Sequence, residues 1–147
     1  MIHYKESGLR NIWLANGYTV EDSPYGETLA IHDLQGLHRA IGHSLVTKPR
    51  KLTGAELRFI RNEMELSQAK LASLIGNDAQ SIALWEKRGT VPRWADRFIR
   101  ALYREHADGN VRIREIVENL ADQDIDDTAP EKMLFEDTAQ GWMAQAA

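Results

Sequence analysis

The stretch "LSQAKLASLIGNDAQSIALWEKRG", residues 66–89, contains two short helical patterns around a Gly-Asn-Asp turn. In the first pattern Ser67 precedes apolar residues at helical spacing, and Gly76 ends the helix because a residue without a Cβ turns left-handed easily. In the second pattern Asp78 is placed to cap a helix that directs Ile82 inward. Two helices joined by a tight glycine-containing turn predict a helix-turn-helix unit.

The second of these helices is the expected recognition helix, which enters the major groove of duplex DNA. Ile82 and Trp85 would hold it against the remaining helices. The face left for the groove consists of Ala79, Gln80, Ser81, Ala83 and Leu84. Gln68 stands at the start of the preceding helix, where its amide and the free backbone N–H groups suit a phosphate.

Helical spacing extends on both sides of this unit, from Thr53 to Leu120. Thr53 and Glu56 form a capping box, and Pro92 opens a fourth helix. The apolar positions expected inside the resulting five-helix bundle are Leu57, Ile60, Met64, Leu71, Leu74, Ile75, Ile82, Trp85, Ala95, Phe98, Ile99 and Leu102. The fifth helix carries an apolar stripe that we expect to form the dimer contact: Ile113, Ile116, Val117 and Leu120.

The first third of the chain is predicted to be rich in strands. "NIWLANGYTVE", residues 11–21, has an Asn-Gly pair between two strand-like runs, which predicts a tight hairpin with Trp13 opposite Val20. A third strand is expected at residues 28–32. Asp33 can cap a following helix with apolar positions at Leu34, Leu37, Ile41 and Leu45.

Charge is unevenly distributed along the chain, although the net charge is only −4. Residues 1–49 contain 4 basic and 5 acidic side chains, residues 50–106 contain 11 and 7, and residues 107–147 contain 3 and 10. A basic middle beside an acidic end is expected when only one segment faces phosphates. We therefore predict an α+β chain with a β-rich domain at 1–48, a helical DNA-binding domain at 49–121 and a flexible acidic tail at 122–147.

The segment from Thr53 to Tyr103 resembles the XRE family of Cro-type helix-turn-helix proteins. The matching positions, all in register, are Ser67, Gln68, Leu71, Ala72, Gly76, Ile82, Trp85, Glu86, Gly89 and Pro92. The resemblance implies a homodimer on a palindromic operator. It also implies a backbone or flanking-base contact by Gln68 and base-reading positions at Gln80, Ser81 and Leu84.

The recognition helix departs from the family pattern at Ala83 and Leu84, which are apolar where polar or basic readers are frequent. Leu84 could instead contact thymine methyl groups, and Lys87 or Arg88 could reach phosphates.

The order and length of the domains also resemble antitoxins of the MqsA/HigA type, in which a small domain precedes an XRE domain. This resemblance implies a cytoplasmic repressor that binds a toxin protein and represses its own operon. Antitoxins of the MqsA kind hold zinc with cysteines, and this chain has no cysteine. Its first domain would therefore be held together by an apolar core.

Other functions have weaker support in the sequence. His38 and His43 are five positions apart, which is the wrong spacing for one helix face, so no metal and no cofactor are expected. No nucleophile motif or phosphate-binding glycine loop indicates an enzyme, and no run is apolar enough to span a bilayer. Two alternatives remain open: a free-standing regulator whose first domain senses a small ligand, and a module that binds only protein.

Overall fold

The computed structural model of the protein describes residues 1–108 and 130–146. These residues form a mixed α and β structure with five helices and two sheets. The chain divides into two compact units, which are Met1–Ile41 with Glu131–Ala147 (unit 1) and Gly42–Pro130 (unit 2). The mixed fold class is confirmed, but the strands are not confined to the N-terminal part of the chain.

The strands are β1 (Ile2–His3), β2 (Ile12–Leu14), β3 (Tyr18–Ser23), β4 (Gly26–Ile31), β5 (Met133–Thr138) and β6 (Gly141–Gln145). The helices are α1 (Leu34–Thr47), α2 (Gly54–Glu63), α3 (Gln68–Ile75), α4 (Ala79–Arg88) and α5 (Arg93–Asp108).

The larger sheet of unit 1 joins strands from both ends of the chain in the order β1-β2-β5-β6. β2 pairs antiparallel with β1 and parallel with β5, and β5 pairs antiparallel with β6. Ile12, Leu14 and Phe135 are fully buried, and Trp142 is nearly so. Apolar side chains from the first and last strands therefore form one core.

The prediction of a flexible tail at 122–147 is wrong for residues 133–138 and 141–145, which are the paired strands β5 and β6. Each of these strands is short, and only Phe135 and Trp142 among their side chains are buried. The partner of β5 is β2, at the other end of the chain. Such a pairing leaves no periodic signal in a local window of sequence.

The predicted hairpin at Asn16-Gly17 is also wrong. β3 pairs with β4 instead, so Val20 lies opposite Leu29, whereas Trp13 pairs with residues of β1 and β5. The physical reason is the Asn16 side chain, which accepts a hydrogen bond from the Asp137 backbone N–H (2.7 Å) and donates one to the Asp137 carbonyl (3.2 Å). The Asn-Gly pair thus directs the chain from one sheet into the other.

The helix predicted after Asp33 is present as α1, and the Asp33 carboxylate accepts a hydrogen bond from the Gly36 backbone N–H (3.1 Å). The side chains expected to face inward are fully buried at three positions: Leu37, Ile41 and Leu45. Leu34 is 45% exposed instead, because it stands in the first turn of the helix.

In unit 2 the capping box of Thr53 and Glu56 is formed at the start of α2. Seven of the twelve predicted inward positions are buried, three are half-buried (Ile75, Trp85 and Leu102), and Leu74 and Phe98 are 48% and 36% exposed. Both lie at the border of an apolar stripe, where helical spacing alone does not fix the side that faces solvent. The predicted fifth helix of the bundle, at 113–120, lies outside the described residues.

The segment 47–52, which spans the predicted boundary between the first and second domains, is held against α5 by a buried arginine. The Arg100 guanidinium is 1% exposed and donates to the backbone carbonyls of Lys48 (2.5 Å) and Arg50. The Asp96 carboxylate accepts from Arg100 Nε (3.1 Å) and from the Leu52 backbone N–H (2.7 Å). This segment is therefore an ordered part of unit 2.

Among the described residues no helix combines the length and apolar character required to cross a membrane.

Candidate nucleic-acid interface

α3 and α4 each begin at a side chain that caps the N-terminus and end at a glycine with a left-handed backbone. The Ser67 hydroxyl accepts a hydrogen bond from the Lys70 backbone N–H (3.0 Å), and the Asp78 carboxylate accepts one from Ser81 (2.8 Å). Gly76 ends α3 with φ of 73°, a left-handed conformation that costs a glycine little. The predicted pair of short helices around a tight turn is present in unit 2.

α4 has one buried side and one exposed side. Ile82 and Glu86, four residues apart, are buried. The exposed side chains recur at positions i, i+4, i+7 and i+8, which places them on one face of the helix; they are Gln80, Leu84, Lys87 and Arg88. This face presents an amide, an apolar side chain and two cations to solvent.

The structure places only some of the predicted DNA-contacting residues on this exposed face. Ser81 and Ala79 are half-buried; Ser81 borders the exposed face, whereas helical spacing places Ala79 on the same side as the buried Glu86. Leu84 is 44% exposed, as a contact with a thymine methyl group would require. Gln68, at the first position of α3, is half-buried.

A buried ionic network holds α4 against α2 and α3. The Glu86 carboxylate accepts hydrogen bonds from Arg61 Nε (2.7 Å) and Nη2 (3.1 Å), from Gln68 Nε2 (3.2 Å) and from Arg58 Nε (3.3 Å). Its side chain is fully buried. Arg61 also donates to the backbone carbonyl of Leu66 (2.9 Å), just before α3.

Burial raises the pKa of Glu86, but the hydrogen bonds and charge of Arg61, with the hydrogen bonds from Gln68 and Arg58, outweigh it and lower the pKa below its ordinary value. Glu86 is therefore ionised, and it fixes the orientation of α4 relative to the two preceding helices. A paired buried charge of this kind defines geometry more than it adds net stability.

Close packing of α2 against the C-terminal end of α4 depends on a glycine. A Cβ at Gly54 would lie 2.7 Å from the Trp85 carbonyl oxygen and closer still to that of Glu86. Both obstacles are backbone atoms, so neither can rotate away. Glycine at position 54 thus allows the first helix of unit 2 to contact the expected recognition helix directly.

Arg58 places a cationic side chain beside Gln68 at the N-terminus of α3. Its Nε and the Gln68 amide both donate to Glu86 Oε1, so the two side chains are neighbours, and Arg58 is 60% exposed. An amide nitrogen has two hydrogens, and the bond to Glu86 uses only one of them. Arg58, Gln68 and the first backbone N–H groups of α3 together can receive a phosphate oxygen.

The N-terminus of α4 has the opposite electrostatic character. It is capped by the negatively charged Asp78, whereas α3 is capped by the neutral Ser67 and has Lys70 in its first turn. An anion is therefore favoured at α3 and repelled at α4. This difference agrees with a division in which α3 contacts the phosphate backbone and α4 presents side chains to base edges.

Two parts of the candidate site were not predicted from the sequence: Arg58 and the Arg61–Glu86 pair. The signal was present in the spacing, since Glu86 follows Ile82 by four positions and so falls on the inner face of α4. A carboxylate on an inner face requires a cationic partner. The predicted dimer contacts Ile113, Ile116, Val117 and Leu120 lie outside the described residues.

Trp85, predicted to lie in the core, is half-buried. Its ring meets the edge of the Trp94 ring, with centroids 6.0 Å apart. Trp94 is 50% exposed. In the described part of the chain no group of three or more His, Asp or Glu side chains is arranged to hold a metal ion.

Comparisons with protein-family models, with curated proteins and with solved structures found no match to this chain.

Proposed function

We propose that this protein is a sequence-specific DNA-binding protein that acts as a transcriptional repressor of the helix-turn-helix type. The observation that carries the proposal is the exposed face of α4, where Gln80, Leu84, Lys87 and Arg88 form one stripe on a helix held by a buried ionic network. A rigid helix with an amide and cations on its outer face fits the major groove, where amides pair with adenine and cations with guanine or phosphate.

The distribution of charge supports the same function. Basic residues are concentrated at 50–106, while the chain as a whole is acidic. Arg58, Lys70, Lys87 and Arg88 are all exposed. Phosphate contacts supply most of the affinity for DNA, so a local excess of exposed cations matters more than the net charge of the chain.

The finer parts of the proposal are that the protein binds a palindromic operator as a homodimer and serves as the antitoxin of a toxin-antitoxin operon. Repressors with a single helix-turn-helix unit double their few base contacts by two-fold symmetry. The existence of a second compact unit, with its own core, supports a separate partner-binding role.

The proposal is tested by selecting bound sequences from a random DNA library with the full-length protein. We expect a consensus with two-fold symmetry and an affinity that falls as salt concentration rises, because bound counterions are released from the DNA. Recovery of no consensus, with equal affinity for all sequences, would refute sequence-specific binding.

Gln80→Ala then separates base reading from general attraction. If Gln80 makes a bidentate base contact, binding to the selected sequence should weaken by roughly 1–3 kcal/mol, with little change on random DNA. Gln35→Ala, at an exposed helical position in α1, is the matched control and should change neither affinity. Equal losses on selected and random DNA would show that Gln80 does not read sequence.

Arg58→Gln tests the phosphate site at the start of α3. We expect weaker binding to selected and random DNA alike, and a salt dependence reduced by about one counterion. Lys5→Gln removes an exposed charge from unit 1 and is the control. A change of sequence preference in Arg58→Gln would assign this residue to base reading instead.

A further inference from the structure

The β3–β4 hairpin of unit 1 is largely exposed to solvent, although Tyr18, Leu29 and Ile31 on one of its faces are half-buried. No residue from 18 to 31 is buried, and the two strands pair only with each other in the described part of the chain. Tyr25 at the turn is 99% exposed and Val20 is 46% exposed. A two-stranded hairpin without further partners is marginally stable in water.

The register gives the hairpin two different faces. One face carries Tyr18, Val20, Leu29 and Ile31, with Asp22 opposite Glu27 near the turn. The other face carries Thr19, Glu21, Thr28 and Ala30, where the Thr28 hydroxyl donates to the Glu21 carbonyl (3.2 Å). The first face is therefore apolar toward its base and negatively charged toward its tip.

The charges on the hairpin are all of one sign. It contains Glu21, Asp22 and Glu27 and no lysine or arginine. Asp22 and Glu27 are direct cross-strand neighbours, an arrangement that destabilises a hairpin because like charges face each other. Cationic side chains from outside would relieve this repulsion.

We propose that the outer edge of β3 is a docking site for a basic polypeptide, which adds as a third strand with apolar side chains on Val20 and basic ones near Glu21 and Asp22. β3 is favoured over β4 because Val20 is more exposed than its neighbour Leu29 and because two of the three acids lie on β3. Strand addition gives affinity through backbone hydrogen bonds and specificity through alternate side chains.

The negative charge of the hairpin argues against DNA or a second copy of this chain as the molecule that binds the edge of β3. DNA is repelled by the three acids, and two copies of this hairpin paired side by side would bring their acids together. The partner is therefore a different, positively charged protein. This inference goes beyond DNA binding and does not depend on it, because its test contains no DNA.

The test uses the full-length protein and an acetylated seven-residue peptide with valine at positions 1 and 3 and lysine at positions 4 to 6, so that an added strand places lysines on both faces of the hairpin. The same peptide with glutamate in place of lysine is the reference probe. Binding is followed by fluorescence anisotropy, and the amides that shift are located by NMR. We expect the lysine peptide to bind, to shift the amides of 18–23 most and to weaken as salt rises, and the glutamate peptide not to bind. Shifts centred outside 18–31, or equal binding of both peptides, would overturn the proposal.

Glu21→Gln with Asp22→Asn keeps the shape of β3 and removes two charges. The lysine peptide should then bind roughly three- to tenfold more weakly, which is the effect of losing two exposed ion pairs. The matched control, Glu6→Gln with Glu65→Gln, removes two exposed charges elsewhere and should bind as the unchanged protein does. Equal weakening in both double variants would show a response to net charge alone and would contradict a site on β3.

Val20→Ser tests the apolar part of the same surface. The side chain is half-exposed in the free protein, so the fold should tolerate the change, and peptide affinity should fall a further few-fold at high salt, where charge contributes least. Thr19→Ser, on the opposite face, is the control. Unchanged affinity in Val20→Ser would reject a strand that packs on this face.

Discussion

The α3–α4 helices depend on contacts between residues close in sequence, whereas the four-stranded sheet of unit 1 depends on contacts between residues far apart in sequence. Each helix is bounded by its own cap and its own glycine, all within a few residues of one another. The sheet instead joins β2 to β5 from the two ends of the chain, so no short segment of sequence contains its pairing. The difference shows why one region could be predicted from local pattern and the other could not.

The largest expected effect concerns the C-terminal strands. Trp142 is 7% exposed, its indole N–H donates to the His32 carbonyl (2.9 Å), and its ring fills the space above Gly17, where a Cβ would lie 2.5 Å from it. Trp142→Ala should therefore lower the unfolding free energy of unit 1 by about 3–5 kcal/mol.

Amide hydrogen exchange measures this effect separately for each unit. Protection should fall in β2 and β5 and remain in α3 and α4. Met143→Ala is the matched control, because the neighbouring side chain is 51% exposed and its loss should cost little. If Trp142→Ala leaves the exchange of β2 unchanged, the Trp142 side chain does not contribute to the core around β2.

The second effect concerns the buried network of unit 2. Glu86→Gln removes the charge that Arg61 neutralises and leaves that guanidinium, whose side chain is 12% exposed, without its counterion. We expect a loss of about 2–4 kcal/mol in the unfolding free energy of unit 2, since breaking a buried ion pair is costly. Glu65→Gln, at an exposed position, should be neutral in the same denaturation experiment.

The pH dependence of this loss has a definite sign. Because the folded pKa of Glu86 lies below its ordinary value of 4.5, the carboxylate contributes its stability above that value and loses it as pH falls toward the folded pKa. The difference in unfolding free energy between the unchanged protein and Glu86→Gln should therefore be constant near neutral pH and shrink below about pH 4.5. A difference that grows on acidification would contradict the ionised state of Glu86.

Features of the fold with local hydrogen-bond partners were predictable from the sequence, whereas features with distant partners were not. The caps at Thr53, Ser67 and Asp78 were predictable because each bonds a backbone group three residues away. The Asn16-Gly17 pair has the composition of a hairpin turn, yet the Asn16 side chain binds the backbone of a strand that the local pattern did not reveal. Local chemistry was interpreted correctly where its partners are local and wrongly where they are distant.

The candidate site follows the same rule. The exposed stripe of α4 was predicted from helical spacing only in part. Gln80 and Leu84 are exposed as predicted, but Ala79, Ser81 and Ala83, which were predicted on the same face, are half-buried. Arg58 was not assigned a role, since its position depends on a bond to Glu86 across two helices. A hydrogen bond between side chains that are distant in sequence is difficult to predict from one sequence.

A smaller effect is expected where α2 and α4 touch. Gly54→Ala would place a methyl group against the carbonyl oxygens of Trp85 and Glu86, and relief requires a shift of one helix. We expect a loss of about 1–3 kcal/mol, the usual range for overpacking. Ala55→Ser, at the exposed neighbouring position, is the control in thermal denaturation. A Gly54→Ala protein as stable as the original would mean that the two helices are not in close contact.

The smallest effect contrasts one residue from each unit that has the same unusual backbone. Glu65 in unit 2 and Asp33 in unit 1 have positive φ angles of 57° and 50°, which cost a side-chain-bearing residue about 1 kcal/mol or more. Glu65→Gly removes this cost but adds flexibility to the unfolded chain, so a net gain of about 0.5 kcal/mol is expected. Asp33→Gly removes the same backbone cost but also the side chain that caps α1, a loss of about 1 kcal/mol, so the net change should be a small destabilisation. Denaturation of both variants followed by hydrogen exchange in each unit measures the two signs. A gain in both variants would show that the Asp33 cap contributes nothing to α1, and a loss in both would show that the Glu65 side chain stabilises unit 2 in spite of its exposure.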